Sequence, residues 1–169
     1  MNPLTKHVLR LKFVIITAEH AEVAEMKDKE QLDLITQTII GAAIEVHRRL
    51  GPGLLESAYE ACLAFELHDR GLKIEQQKPL PVIYREVKLD CGYWLDLVVK
   101  DSVIVEIKAI EQLLPIHDAQ LLSYLRLANK NAGLLINFHA RLLKNGVKRM
   151  VNEFPDSALS AISAVNKVS

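Results

Sequence analysis

Three side chains near the middle of the chain are of the right types to do chemistry together. They are Asp96, in Tyr93-Trp-Leu-Asp-Leu-Val-Val99, and Glu106 and Lys108, in Ser102-Val-Ile-Val-Glu-Ile-Lys108. In a strand, alternate side chains share a face, so Glu106 and Lys108 point one way while Val103, Val105 and Ile107 point the other. On the preceding strand Leu95, Leu97 and Val99 form the matching apolar row. A hairpin pairing Val99 with Val103 around a three-residue loop keeps both rows on one face and sets Asp96 across from Glu106; a one-residue slip would scatter the rows. Two carboxylates ~5 Å apart repel unless a cation sits between them. A hard divalent cation such as Mg²⁺ binds through one or two carboxylates and keeps waters for a phosphate. Lys108 would then orient the attacking water or stabilise charge on the phosphate, which is the equipment of metal-dependent phosphodiester hydrolysis. The same spacing also fits a solvated ion-pair network.

Two further features bear on that choice. In His117-Asp-Ala-Gln-Leu-Leu-Ser-Tyr124 the pair Gln120 and Tyr124 lies at i,i+4 on one helical face, beside a packing face of Leu121, Leu122 and Leu125. From Ala119 through Asn152 there is no acidic residue, while Arg126, Lys130, His139, Arg141, Lys144, Lys148 and Arg149 fall within or just beside that stretch. This basic 126–149 segment suits phosphate contacts, although ordinary solvated cations give the same pattern.

The elements that must position these residues follow from periodicity. Leu32, Ile35, Ile39, Ala43, Val46 and Leu50 recur at steps of three and four, predicting an amphipathic helix that Gly51-Pro52-Gly53 ends. A second helix is expected from about Leu54 to Arg70, with Leu55, Tyr59, Cys62, Leu63 and Leu67 inward. The period then changes to two, giving strands over Pro79 to Tyr84, Lys88 to about Val99 and Val103 to Ala109. Pro115 opens a third helix through roughly Leu127. Strands are expected at Ala132 to Phe138 and Gly146 to Val151. The order ααβββαββ predicts an α/β (α+β) layer domain with a mixed sheet. Residues 1–30, rich in Ala and Glu, read as an appendage of partly helical propensity, 31–153 as the domain and 154–169 as a tail.

Composition narrows the classes. The chain has 169 residues, 50% hydrophobic, with 21 Lys+Arg against 21 Asp+Glu. A polyanion must therefore be met by a local patch rather than by overall charge. Cys62 and Cys91 suit neither a disulfide framework nor a zinc motif. No apolar run approaches a membrane span, and Phe13-Val-Ile-Ile-Thr-Ala18 is too short for a signal peptide, so a cytoplasmic location is expected.

Gly53-Leu-Leu-Glu-Ser-Ala-Tyr59 resembles the GxxExxY signature of a family of small bacterial proteins. Trp94-Leu-Asp-Leu-Val-Val, Val105-Glu-Ile-Lys, Pro115-Ile-His-Asp-Ala-Gln-Leu-Leu-Ser-Tyr and Gly133-Leu-Leu-Ile-Asn-Phe resemble its remaining blocks, over about residues 32 to 152. That family is grouped with the PD-(D/E)XK nuclease superfamily, which implies a central mixed sheet flanked by helices. The resemblance implies Asp96, Glu106 and the Ile107 carbonyl as ligands of Mg²⁺ or Mn²⁺, and Lys108 as the catalytic lysine. It also implies Glu56 as the acidic residue of the first core helix, Gln120 and Tyr124 as a QxxxY motif, and His47 as an upstream histidine. Leu95 stands where the superfamily's name has proline. The expected function is divalent-metal-dependent hydrolysis of nucleic acid, DNA first. The alternative is a non-catalytic nucleic-acid or protein-binding module that keeps the fold. Exposed sheet edges make a homodimer a further expectation.

The signature residues also admit structural roles: Gly53 in the turn between helices, Tyr59 in the core with its hydroxyl at the surface, and Glu56 capping its own helix. Tyr93 and Trp94 are candidates to stack on bases, but neighbours on a strand face opposite sides, so one of them is expected in the core.

Overall fold

The computed structural model describes residues 3–152, in the order α1 (Pro3–Leu50), α2 (Glu56–Asp69), β1 (Ile74–Tyr84), β2 (Val87–Val99), β3 (Val103–Lys108), α3 (Pro115–Leu127), β4 (Ala132–Asn137) and β5 (Val147–Val151). This is the expected ααβββαββ order. The tail expected at 154–169 lies outside the described residues. By contacts the chain divides into Met1–Ile35 and Thr36–Ser169. The first unit is helical over its described residues, because α1 begins well before the periodic stripe at Leu32.

The centre of the second unit is a five-stranded mixed sheet in the order β1-β2-β3-β4-β5. All neighbours pair antiparallel except β3 and β4, which run parallel with α3 as the crossover between them. Parallel strands covered on both faces read as continuous apolar runs. β3 and β4 do so, every residue from Val103 to Asn137 within them being buried except Lys108, which is half-buried. On one face Val98, Ile104 and Leu135 pack with Leu121, Tyr124 and Leu125 of α3. The opposite row, Leu97, Val99, Val103, Val105, Leu134 and Ile136, has no exposure either. α2 packs against β1, β2 and β3.

The β2–β3 hairpin has the predicted register, with Val99 opposite Val103 and Leu97 opposite Val105. Lys100 and Asp101 both take positive φ, 50° and 52°, and the Ser102 amide returns to the Val99 carbonyl at 3.0 Å. Two successive left-handed residues make the turn whose twist matches paired strands. One part of the facial reading is corrected. Leu95 does not continue the row of Leu97 and Val99, but joins Val98 and Ile104 in the α3-side cluster. The alternation therefore shifts between residues 95 and 98, where the β1–β2 ladder also skips Gln77 and Asp96.

β1 starts at Ile74, five residues before the expected Pro79, and β1 and β2 together run far beyond β3 as a two-stranded ribbon. Tyr93 and Trp94 are consequently both exposed, at 47% and 52%, and neither is core: β2 at this point has outrun the layers that would cover it. Leu50 and Leu55, expected inward, are exposed as well, because they occupy the last position of α1 and the residue before α2, outside the packed turns. Ile39, Ala43, Val46, Leu63 and Leu67 are buried as the helical period requires, and Cys62 is half-buried.

Tyr59 fastens the α1–α2 connection. Its ring is wholly buried and stacks on Phe138 at 4.4 Å between centroids. Its hydroxyl does not reach the surface. It donates to the Gly51 carbonyl at 2.7 Å and accepts the Leu54 amide at 3.1 Å, closing the loop in which Gly53 holds a φ of 113°. Glycine is the residue that takes that conformation without steric cost. Tyr59→Phe keeps the ring and removes both bonds, so it should cost about 1 kcal/mol. That corresponds to a fall in Tm of about 2–4 °C by calorimetry; an unchanged Tm would show that the clasp adds nothing.

Candidate active site

The site forms at the C-terminal end of β3, on the side of the sheet that α3 covers. Alternation from Ile104 carries Glu106 and Lys108 onto that side. Glu106 is 3% exposed, and its Oε1 accepts Lys108 Nζ at 2.8 Å. Its other oxygen, Oε2, is buried with no hydrogen-bond partner. Asp96 reaches the same place from β2. Its Oδ2 accepts the Ile107 amide at 2.8 Å, and its Oδ1 lies 3.5 Å from Gln77 Nε2. Glu56, in the first turn of α2, does not cap its own helix; its Oε1 accepts the Ala109 amide at 3.0 Å, just past the end of β3.

Gln120 Nε2 donates to the Tyr124 hydroxyl at 2.7 Å, and Tyr124 meets the exposed Tyr93 ring edge-on at 6.0 Å. Burial raises the Tyr124 hydroxyl, and the nearby charges of Glu106 and Lys108 act on it in opposite directions. His47 is elsewhere in use: its Nε2 lies 2.9 Å from the Ala140 carbonyl oxygen and its ring 6.5 Å from Phe138. His117 Nδ1 accepts the Leu114 amide at the start of α3, which makes it a helix-end residue.

Electrostatics follow from three carboxylates sharing one ammonium. Burial, and then the Asp96 charge, push the Glu106 carboxyl up to about 7 against the pull of Lys108. Burial likewise raises Asp96, only partly offset by the Ile107 amide. Burial alone would lower the Lys108 amine, but the bond to Glu106 and the charges of Glu106, Glu56 and Asp96 outweigh it and hold the amine above its usual range. Such a cluster is short of positive charge.

The donor set fits a hard divalent cation on one observation in particular. A buried carboxylate oxygen without a partner, Glu106 Oε2, costs free energy unless something electropositive meets it. Among the described residues no group of three Asp, Glu, His or Cys side chains forms a ready-made metal cage. Asp96 and Glu106 supply the one or two carboxylates that Mg²⁺ typically takes from protein.

Sequence reading missed three contributors. Glu60, one helical turn after Glu56, accepts Gln77 Nε2 at 2.7 Å and is itself raised, by burial first. Gln77 lay outside the expected first strand, although its place opposite Asp96 follows once β1 is extended backwards. Asn137, 3% exposed at the end of β4, donates Nδ2 to the Ile110 carbonyl at 2.8 Å and accepts the Ile110 amide at 3.2 Å, fixing the chain that leaves Lys108. An asparagine closing an apolar strand was the available signal.

The basic segment is partly neutralised within the fold. Lys130 pairs with Asp101 at 2.9 Å and Lys148 with Asp118 at 2.8 Å, whereas Arg141 and Lys144 are exposed in the connection after β4. No helix among the described residues is long and apolar enough to cross a membrane.

Residues 33–150 match the family model of the PD-(D/E)XK nuclease superfamily. The chain belongs to that superfamily, and its mixed sheet flanked by helices is the corresponding fold. No curated protein and no solved structure matches the chain.

The raised Glu106 carboxyl gives a pH dependence whose sign can be worked out. Between the value of a free glutamate, 4.5, and about 7, the folded protein holds a proton that the unfolded chain releases. Stability of the metal-free protein should therefore fall as pH rises through that window, by up to about 3 kcal/mol, and flatten above it. Glu106→Gln should flatten most of the slope. Tm followed from pH 4.5 to 8 in EDTA decides this, and equal slopes for wild type and variant would refute the assignment.

Proposed function

We propose that the protein is a divalent-metal-dependent nuclease that hydrolyses phosphodiester bonds in DNA. Asp96, Glu106 and the Ile107 carbonyl hold Mg²⁺ or Mn²⁺, and Lys108 serves the phosphate. The observation that carries this reading is the buried, unpartnered Glu106 Oε2 beside Asp96 and Lys108, in a chain of nuclease descent. A cation held there supplies Lewis acidity toward a phosphoryl oxygen and lowers the pKa of a bound water.

The chain's own residues do the rest. Lys108 stays protonated beside the carboxylates and offers its N–H groups to the charge that builds on the phosphate. Gln120 and Tyr124, linked at 2.7 Å, orient the nucleotide or the water from the α3 side. Glu56 fixes the Ala109 amide and so the exit of the chain from Lys108. Arg141 and Lys144, in the connection after β4, give the basic 126–149 segment its exposed phosphate contacts, at the same end of the sheet as Lys108. Within the superfamily we place the chain among the small bacterial GxxExxY proteins, on Gly53, Glu56 and Tyr59. The outer edges of β1 and β5 pair with no other strand among the described residues, which is what a homodimer would use.

Purified protein with Mn²⁺ or Mg²⁺ should degrade single- or double-stranded DNA. Glu106→Ala and Lys108→Ala should each lose about a hundredfold or more. Wild-type and Glu106→Ala proteins of equal activity would sink the site. No cleavage by wild type across several DNA and RNA substrates, with binding retained, would instead favour a non-catalytic nucleic-acid-binding module.

A further inference from the structure

We infer that Gln77 is a positioning residue for Asp96, a role that rests on the reading of Asp96 as a metal ligand. Gln77 lies inside β1, opposite Asp96, between the paired positions Gln76–Leu97 and Lys78–Leu95. Its φ is 46°, a left-handed conformation within a strand. Glycine would take that conformation without strain, whereas a residue with a Cβ does so at a cost. Packing does not account for glutamine here, because the side chain is exposed.

What the side chain touches does account for it. Nε2 is 2.7 Å from Glu60 Oε2 and 3.5 Å from Asp96 Oδ1, so both amide hydrogens face carboxylates. The far oxygen of Asp96 is held by the Ile107 amide at 2.8 Å. The carboxylate is thus fixed at each oxygen, by β1 on one side and β3 on the other, while lone pairs remain for a cation. Glu60 is the anchor of this arrangement, at i,i+4 from Glu56 on α2. The left-handed backbone at Gln77 interrupts the pairing there without changing its register, and the Glu60 bond ties the side chain to α2. A ligand held by such an outer partner binds metal in a set orientation.

The test uses the full chain and reads three quantities for each variant: Mn²⁺ affinity by calorimetry, Tm without metal, and kcat and KM for DNA cleavage. Gln77→Gly should keep or raise Tm, since the strain is relieved, yet lose about tenfold or more in Mn²⁺ affinity and in kcat with KM unchanged. Glu60→Ala should behave alike in affinity and kcat, and Glu60→Gln, which still offers an acceptor oxygen, should restore most of both. Gln77→Gly with wild-type Mn²⁺ affinity and kcat would overturn the role. So would a loss that follows a lowered Tm, which marks a merely structural residue. A wild type that neither binds Mn²⁺ nor cuts nucleic acid overturns the nuclease reading and this role with it. An active wild type beside an unaltered Gln77→Gly overturns this role alone.

Discussion

The Ile107 amide must have an acceptor, and the way it finds one organises the rest of the structure. Ile107 is 1% exposed, in a strand whose first three residues, Val103 to Val105, pair with β2 on one side and β4 on the other, and a buried amide left unpaired would be costly. The β2–β3 ladder ends at Leu97–Val105, so no further β2 carbonyl is paired with β3. The carboxylate of Asp96 takes that place at 2.8 Å. One side chain thereby takes up an amide of β3 that lies beyond the end of the β2 ladder. Beyond that point Leu95 rejoins the core on the α3 side, and the β1–β2 ribbon continues without β3. The irregularity that sequence periodicity treated as a continuous row is where the site is built.

The same bond brings together charges that would otherwise separate. Asp96 is held by a structural obligation, and Glu106 is carried on the neighbouring strand with no freedom to retreat. Burial raises both carboxyls; the Asp96 charge raises Glu106 further, and the Glu56 charge adds to the rise of Asp96. Lys108 offsets part of this, but one ammonium faces Asp96, Glu56 and Glu106 together. A buried ion pair of this kind is poor evidence for stability, because desolvation consumes much of the Coulombic gain. Left-handed backbone at Gln77 adds about 1–3 kcal/mol to the cost in the same few ångströms. Strain and like charge gathered at one strand end are characteristic of a site kept for function, since the fold alone would be better served by apolar residues there.

How far this was legible from sequence varied with the physics involved. The hairpin register was readable because a one-residue slip would have moved Val103 and Val105 to the wrong face, and few sequences tolerate that. α3 was readable in full, since Pro115 marks its start and Leu121 and Leu125 its packing stripe. Asp96, Glu106 and Lys108 were readable as a group because they interrupt apolar runs at fixed parity. Leu95 was misplaced because alternation cannot announce its own interruption. Gln77 and Glu60 were invisible for a related reason: each is an ordinary polar residue on its own element, and only tertiary packing brings α2 to β1. Tyr93 and Trp94 were assigned by a rule that holds for covered sheets, and β2 at that point is not covered.

Charge provides the last constraint on how such a site meets a polyanion. Formal neutrality already excluded capture by overall charge, and the structure narrows the choice further by consuming cations internally. Arg48 and Arg49 serve Glu45, Arg70 serves Glu66, Lys78 and Lys130 share Asp101, and Lys148 serves Asp118. These exposed pairs contribute little stability, but each reduces the field that the fold projects into solvent. The consequence for the nuclease reading is that attraction to phosphate rests on a few exposed cations such as Arg141 and Lys144 and on the site itself. A cation held by Asp96 and Glu106 would add to that attraction where the chain's own side chains leave a deficit of positive charge. On that reading, loading the cation and gaining affinity for phosphate would be one event, because the carboxylates that would hold the cation are the ones that repel a phosphate in its absence.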